Sequence, residues 1–240
     1  MEKLKLYFFR ISQVIGWPIL TLLYLAYAIL FSLITWHPYT VIDRGARIWS
    51  KLMLALAGMK LRIHGKENID PNLQYLFLSN HQSLLDIFII LLATPPRTVF
   101  VGKQSFLAIP VVGWLFGLSG QIAIDRSHHE KAIEGLKRAE QKIAQGHHLY
   151  MAPEGTRSKD GTLGPLKRGA FHIALHTRLP IIPITIVEAY RRLPKYRILV
   201  NPGEIAVQID KAIETQAWKE ETLETHMDEI RRAFLHHLAA

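Results

Sequence analysis

A histidine and an aspartate stand five residues apart in Asn80-His81-Gln82-Ser83-Leu84-Leu85-Asp86, at the foot of an apolar run. An imidazole titrates near neutrality, and a carboxylate within hydrogen-bond reach would fix its tautomer and stabilise its charged form. Such a dyad can take a proton from a hydroxyl that belongs to the substrate. Two positions five apart on one helix diverge by roughly 140° around the axis, so His81 and Asp86 meet only if His81 precedes the helix and Asp86 lies in its first turn. The competing possibility is a capping box, with Asp86 on backbone N–H groups behind Ser83 and His81 an ordinary turn residue. On this motif alone the capping box is the simpler account.

A second chemical element is Pro153-Glu154-Gly155-Thr156-Arg157-Ser158, directly after an apolar segment at 147–152 that reads as a strand. It offers a carboxylate, a glycine that permits close backbone approach, a hydroxyl and a guanidinium on one short loop. These groups suit a phosphorylated polyol, with Arg157 forking onto phosphate and Glu154 accepting from a hydroxyl. Lys103 and Arg126 follow two further short strands, 98–101 and 121–124. Sites in α/β sheets form beyond the carboxyl ends of strands, so Lys103, Arg126 and Arg157 are expected to converge on one rim.

The elements that must position these groups are legible from apolar patterning. Residues 73–78 read as a buried strand and 85–92 as a buried helix, which places the His81/Asp86 motif at a strand-to-helix turn. Residues 60–69 alternate as an edge strand. Ser127 to Glu130 has the spacing of a capping box, and a helical stripe follows from Ala132 to Ile143. A short helix is expected at 170–176. The segment 179–187 reads as a strand that Pro180 and Pro183 restrict to an edge or an irregular start, where it could wall an acyl pocket. A strand pair at 198–200 and 205–209 precedes an amphipathic helix carrying Leu223, Met227, Ile230 and Phe234. The apolar stretch 105–118, broken by Pro110, Gly113 and Gly117, suits either a lipid-contacting surface or core.

The chain has 240 residues, no cysteine and a formal charge of +9. It is long enough for one sizeable domain with an attachment, it excludes disulfides and thiolate chemistry, and it implies an anionic partner. Residues 14–36 carry no charge, a run long enough to cross the hydrocarbon core of a bilayer. Trp17, Tyr24, Tyr27 and Trp36 suit the interfacial zone, and Pro18 would bend or begin the helix. Nothing after the run resembles a secretory cleavage site. Lys3, Lys5 and Arg10 precede it and Arg44, Arg47 and Lys51 follow, which suggests an anchor that enters one leaflet and returns, with 48–59 as the amphipathic return arm. The expected division is residues 1–59 as anchor and 60–240 as catalytic domain.

Taken in order, four motifs resemble those of the glycerolipid acyltransferase family. His81 and Asp86 match its His-x4-Asp motif; residues 120–126 (GQIAIDR) match a second, whose arginine, here Arg126, binds substrate phosphate. Residues 153–158 match the third, and 179–184 the proline-containing fourth. The resemblance covers about residues 60–210 and implies an α/β fold, a mixed and mostly parallel sheet flanked by helices as in glycerol-3-phosphate acyltransferase. It implies direct acyl transfer. His81, oriented by Asp86, would deprotonate the sn-2 hydroxyl of 1-acyl-glycerol-3-phosphate (lysophosphatidic acid), which attacks the thioester of acyl-CoA or acyl carrier protein to give phosphatidic acid. Arg126, Glu154, Gly155, Thr156 and Arg157 would hold phosphate and glycerol, with Lys103 added by its position. Oxyanion donors are expected among backbone N–H groups near Gln82 or Gly155. No metal and no cofactor beyond the acyl donor are expected. The bacterial members suggest an inner-membrane enzyme facing the cytoplasm, in contact with membrane lipids; another lysophospholipid or an amino-acid lipid is the alternative acceptor. Three rivals fit less well. A serine hydrolase would need a Gly-x-Ser-x-Gly elbow that is absent, His172 and His176 lack the glutamate of a zincin, and a nucleic-acid module would not need the long apolar segment.

Overall fold

The computed structural model describes residues 2–35, 38–124 and 129–239. These form a seven-stranded sheet in the order β1-β7-β6-β2-β5-β3-β4. The strands are β1 (Met59–His64), β2 (Leu76–Ser79), β3 (Thr98–Lys103), β4 (Ile122–Ile124), β5 (His148–Met151), β6 (Ile181–Val187) and β7 (Gly203–Ile209). Only the β6–β7 pairing is antiparallel, so β1 and β7 run against the other five. β2 and β5 are buried along their whole length, as expected of parallel strands covered on both faces and written as unbroken apolar runs.

One expectation fails at β6, which lies inside the sheet between β7 and β2 despite Pro183. The reason is local. Pro183 faces the position where the β7 ladder stops; pairing with β7 begins at Ile184, and the Pro183 carbonyl accepts the Asp210 N–H at 3.0 Å. The missing N–H therefore falls at a gap in the ladder. All of β6 from Ile181 to Ile186 is packed as core, so it walls no open groove. Residues 198–200 form no strand; Val200 instead exchanges two hydrogen bonds with the Gln13 side chain, at 3.1 and 2.7 Å.

Two layers of helices cover the sheet. On one face lie α1 (Glu2–Ile34), α2 (Pro38–Leu56) and α3 (Leu85–Ala93), packed around Phe77, Phe88, Ile184 and Val207. On the other, α6 (Arg168–Thr177) and α8 (Leu223–Leu238) enclose Phe171, Leu149 and Ile181. The four apolar positions expected on the last helix, Leu223, Met227, Ile230 and Phe234, are all buried in α8. The remaining helices are α4 (Val112–Leu118), α5 (His129–Ala144) and α7 (Ala189–Arg192). Ser127 and His128 of the expected capping box, like Trp36 and Arg126, lie outside the described residues.

α1 and α2 form an antiparallel hairpin, and the return arm begins earlier than expected, at Pro38. Trp17, Tyr24 and Tyr27 turn their polar tips to the backbone of the return arm. Trp17 Nε1 donates to the Met53 carbonyl at 3.0 Å and Tyr27 Oη to Val41 at 2.9 Å, with Tyr24 Oη on Ile42 at 3.3 Å. Their polar tips close the hairpin because an apolar surrounding offers no other acceptor. Nor is the hairpin a separate unit. Trp17 and Trp49 pack on Phe88 of α3 with ring centroids 6.0 and 5.0 Å apart, and Arg47 donates to the Thr94 carbonyl at 2.7 Å, capping the end of α3. One helix, Lys3–Ile34, is long and apolar enough to cross a membrane, and most of its surface is not covered by protein.

Candidate active site

Ser79 ends β2, and the chain leaves the sheet through Asn80, which is 1% exposed. Asn80 behaves as a surrogate strand residue: its Nδ2 donates to the Ile186 carbonyl at 2.9 Å and its Oδ1 accepts the Ile186 N–H at 2.7 Å. The turn that follows is thereby pinned to β6. His81 precedes the helix, Asp86 sits in the first turn of α3, and His81 Nδ1 lies 2.7 Å from Asp86 Oδ2. The Asp86 residue is 1% exposed and the His81 side chain 20%. The same Oδ2 accepts the N–H groups of Gln82 at 2.8 Å and Ser83 at 2.9 Å. The capping arrangement and the dyad, alternatives in the sequence, are thus one structure. Because a carboxylate only accepts, Nδ1 carries the proton and Nε2 is left with its lone pair toward the outside.

The loop 153–158 follows β5, the strand beside β2, and turns at Gly155, whose φ of +67° is readily adopted only by glycine. Ser158 N–H donates to the His81 carbonyl at 2.8 Å, so the two chemical loops are bonded to each other. Glu154 is 4% exposed and faces inward. Its Oε1 accepts the His81 N–H and its Oε2 the Gly164 N–H, both at 2.7 Å. Burial raises its pKa, and these two donors oppose the rise. The role of hydroxyl acceptor expected for Glu154 does not fit this geometry; its carboxylate braces the backbone that carries the imidazole. Beneath the dyad, Tyr150 Oη and Ser79 Oγ are 2.9 Å apart, and burial raises the pKa of that phenol so that it stays protonated.

Arg157 and Thr156 stand at the outer side of this loop, Thr156 exposed and Arg157 half-buried. Lys103 ends β3 on the same rim, one strand beyond β5, exposed and with no side-chain hydrogen bond to another described residue. Arg126 falls outside the described residues. The backbone groups expected as oxyanion donors are already engaged: Gln82 N–H on Asp86, and Gly155 N–H on the Ala152 carbonyl at 3.1 Å. Among the described residues, the N–H groups of Thr156 and Arg157 in the same loop have no protein acceptor.

Sequence patterning missed several positioning groups. Asn80 has the residue type of an ordinary turn position, so its pairing with β6 has no local signal. Gln82 Nε2 reaches the Gly161 carbonyl at 2.9 Å, and Ser83 Oγ donates to the Leu193 carbonyl at 2.9 Å. Their partners are 79 and 110 residues away, and no local pattern signals them. A cleft of about 500 Å³, lined by Lys66, Arg97 and His148 among others, lies at the opposite ends of the strands.

The family model described as Acyltransferase matches residues 60–187. A 1-acyl-sn-glycerol-3-phosphate acyltransferase of Cocos nucifera is 34% identical over 88% of this chain and 68% of its own length. One from Saccharomyces cerevisiae is 32% identical over 78% of this chain and 62% of its own. The crystal structure of the 1-acyl-sn-glycerophosphate acyltransferase PlsC from Thermotoga maritima superposes with a TM-score of 0.81 at 23% identity, covering 98% of this chain and 97% of that one, and so shares the fold. With the motif pair His81 and Asp86 in hydrogen-bond contact inside the matched region, this chain belongs to the glycerolipid acyltransferase family.

Proposed function

We propose that this protein transfers a fatty acyl group from a thioester, acyl-CoA or acyl carrier protein, to the sn-2 hydroxyl of 1-acyl-glycerol-3-phosphate, making phosphatidic acid at a membrane surface. The observation that carries this is the 2.7 Å contact between His81 Nδ1 and a buried Asp86 carboxylate, with Nε2 as the base. His81 takes the hydroxyl proton as the oxygen attacks the thioester carbon; the carbon–sulfur bond then breaks and the thiolate leaves with that proton. A thioester is already activated, so positioning and one proton transfer supply much of the rate, and no acyl-enzyme is required. Asp86 holds the tautomer and stabilises the imidazolium while it exists.

The phosphate is received by Arg157, with Lys103 as a further cation on the rim and Arg126 added by its place in the family's second motif. That the Cocos nucifera and Saccharomyces cerevisiae relatives are 1-acyl-sn-glycerol-3-phosphate acyltransferases supports lysophosphatidic acid as acceptor. Glu154 acts through the His81 backbone. The α1–α2 hairpin keeps both of its ends against one catalytic unit, which supports a re-entrant anchor in one leaflet with that unit on the cytoplasmic side, where both thioester donors are found. Anchoring matters because withdrawing an acyl chain from a bilayer costs about 0.8 kcal/mol per methylene.

The test is acyl transfer from labelled acyl-CoA or acyl carrier protein to lysophosphatidic acid, with other lysolipids and an amino-acid lipid in competition. Wild type forms phosphatidic acid, and His81→Ala loses at least about a hundredfold, as for removal of a general base. Preference for another acceptor, or His81→Ala turning over like wild type, overturns the assignment.

A further inference from the structure

The segment after α7 crosses the loop 153–158 and bonds to it in both directions. Lys195 Nζ donates to the Arg157 carbonyl at 3.1 Å and lies 3.3 Å from Thr156 Oγ1, while Arg157 Nη1 donates to the Lys195 carbonyl at 3.3 Å. Each cation is thus held at the backbone of the other, from positions 38 residues apart. Both side chains are half-buried, and neither has a carboxylate partner among the described residues. The nearest acid on that segment, Glu188, is engaged by Arg191 at 2.9 Å and Arg192 at 3.9 Å. Two cations are thus brought to one crossing with no acid of their own among the described residues, where an anion could take charged hydrogen bonds from both.

The crossing is also fixed relative to the dyad. Tyr190 Oη donates to the Lys159 carbonyl at 3.0 Å, Ser83 Oγ to Leu193 at 2.9 Å, and Ser158 N–H to His81 at 2.8 Å. Donors remain for a ligand: the ammonium has three N–H groups and uses two, and the guanidinium has five and uses one.

We propose that Lys195 and Arg157 form a two-cation clamp for a phosphate monoester, and that this ester is the headgroup of the acyl acceptor. The proposal rests on the acyl-transfer function above. The acceptor's phosphate is a short distance from its reacting hydroxyl, matching an anion site one residue from the Ser158–His81 bond; the phosphates of coenzyme A are a long pantetheine arm from the thioester. Lys195 is then a specificity residue, favouring a phosphorylated over an unphosphorylated glycerolipid.

The experiment compares wild type, Lys195→Gln and Lys195→Arg in the full-length protein. Steady-state kinetics are measured with lysophosphatidic acid and with monoacylglycerol as acceptors, and with acyl-CoA as the varied donor. Lys195→Gln keeps a donor for the Arg157 carbonyl and loses the charge. Its kcat/KM preference for lysophosphatidic acid over monoacylglycerol should fall about 10- to 100-fold through KM for the phosphorylated acceptor, as for a lost charged hydrogen bond. Lys195→Arg should recover most of it. An equal loss with both acceptors would mean that Lys195 is a structural strap, and a rise confined to the donor KM would mean that the clamp holds the donor's phosphates; either overturns the proposal. Thermal stabilisation by inorganic phosphate, present in wild type and reduced in Lys195→Gln, reads the clamp without turnover. Absence of acyl transfer by wild type would therefore remove the assigned function while leaving the clamp to be judged on this shift, and no shift in wild type removes the clamp.

Discussion

The carboxylate of Glu154 accepts the backbone N–H of His81 at 2.7 Å, so the loop that carries Arg157 also sets the height of the imidazole. Two loops separated by 73 residues act as one piece, and a change on one is felt as misplacement of the base on the other. Glu154→Ala leaves two half-buried N–H groups without their acceptors, a cost of up to about 1–3 kcal/mol each. We expect a lower melting temperature and a kcat for acyl transfer at least about tenfold down. Glu154→Gln, which keeps one acceptor oxygen, should lie between. A kcat unchanged in Glu154→Ala, with only KM for the acceptor raised, would restore the substrate contact first expected for it.

Asn80 is a second positioning group with a strong expected effect. Its amide pairs with both backbone groups of Ile186, at 2.9 and 2.7 Å. In Asn80→Ala those two groups are orphaned inside the protein, which should destabilise it by about 2–4 kcal/mol. Asn80→Asp keeps the acceptor and buries a charge opposite a carbonyl, so it should be no better. Denaturant unfolding checks both, and a change under about 0.5 kcal/mol in Asn80→Ala contradicts the strand-like role.

Stability should weaken in mild acid because of His148. Burial, followed by the nearby charges of His147, Arg97 and Arg47, lowers its pKa from 6.5 to about 4. Its Nδ1 accepts the Tyr75 N–H at 3.3 Å, a bond that protonation abolishes. As pH falls, the unfolded chain takes up this proton first, so the contribution is fully present above about pH 6.5 and declines between there and about pH 4. The loss is on the order of 2 kcal/mol, or about 4–8 °C in Tm for a chain of this size. Thermal unfolding at neutral and mildly acid pH should show a smaller acid-induced drop in His148→Gln than in wild type.

The uncovered side of α1 should carry membrane binding. Leu22 and Leu23 are exposed near the middle of the apolar run. Replacing both with Lys places charge where the hydrocarbon would be, at roughly 2.5–3.5 kcal/mol each. Flotation with anionic vesicles should fall sharply in Leu22→Lys/Leu23→Lys while the protein still folds, read by circular dichroism. Undiminished flotation would assign binding to another surface.

The sequence by itself determined the elements and the chemistry at their ends. Apolar runs at 73–78, 147–152 and 179–187 read as strands, and His81 had to precede the helix containing Asp86 if the two were to meet, because five residues along a helix turn them apart. These are local consequences of period and spacing. Tertiary structure decided which of two partners a group would take. Glu154 could face a substrate or a backbone amide, and only the packing of the 153–158 loop beneath His81 selected the amide. Pro183 could sit inside the sheet only because β7 stops opposite it. Trp17, Tyr24 and Tyr27 turned inward once α2 supplied carbonyls for their polar tips. Lys195 became visible only when a segment 38 residues away crossed the arginine loop. Spacing along a chain fixes direction relative to its own axis, whereas the partner at the end of a side chain is set by a second segment that arrives through folding.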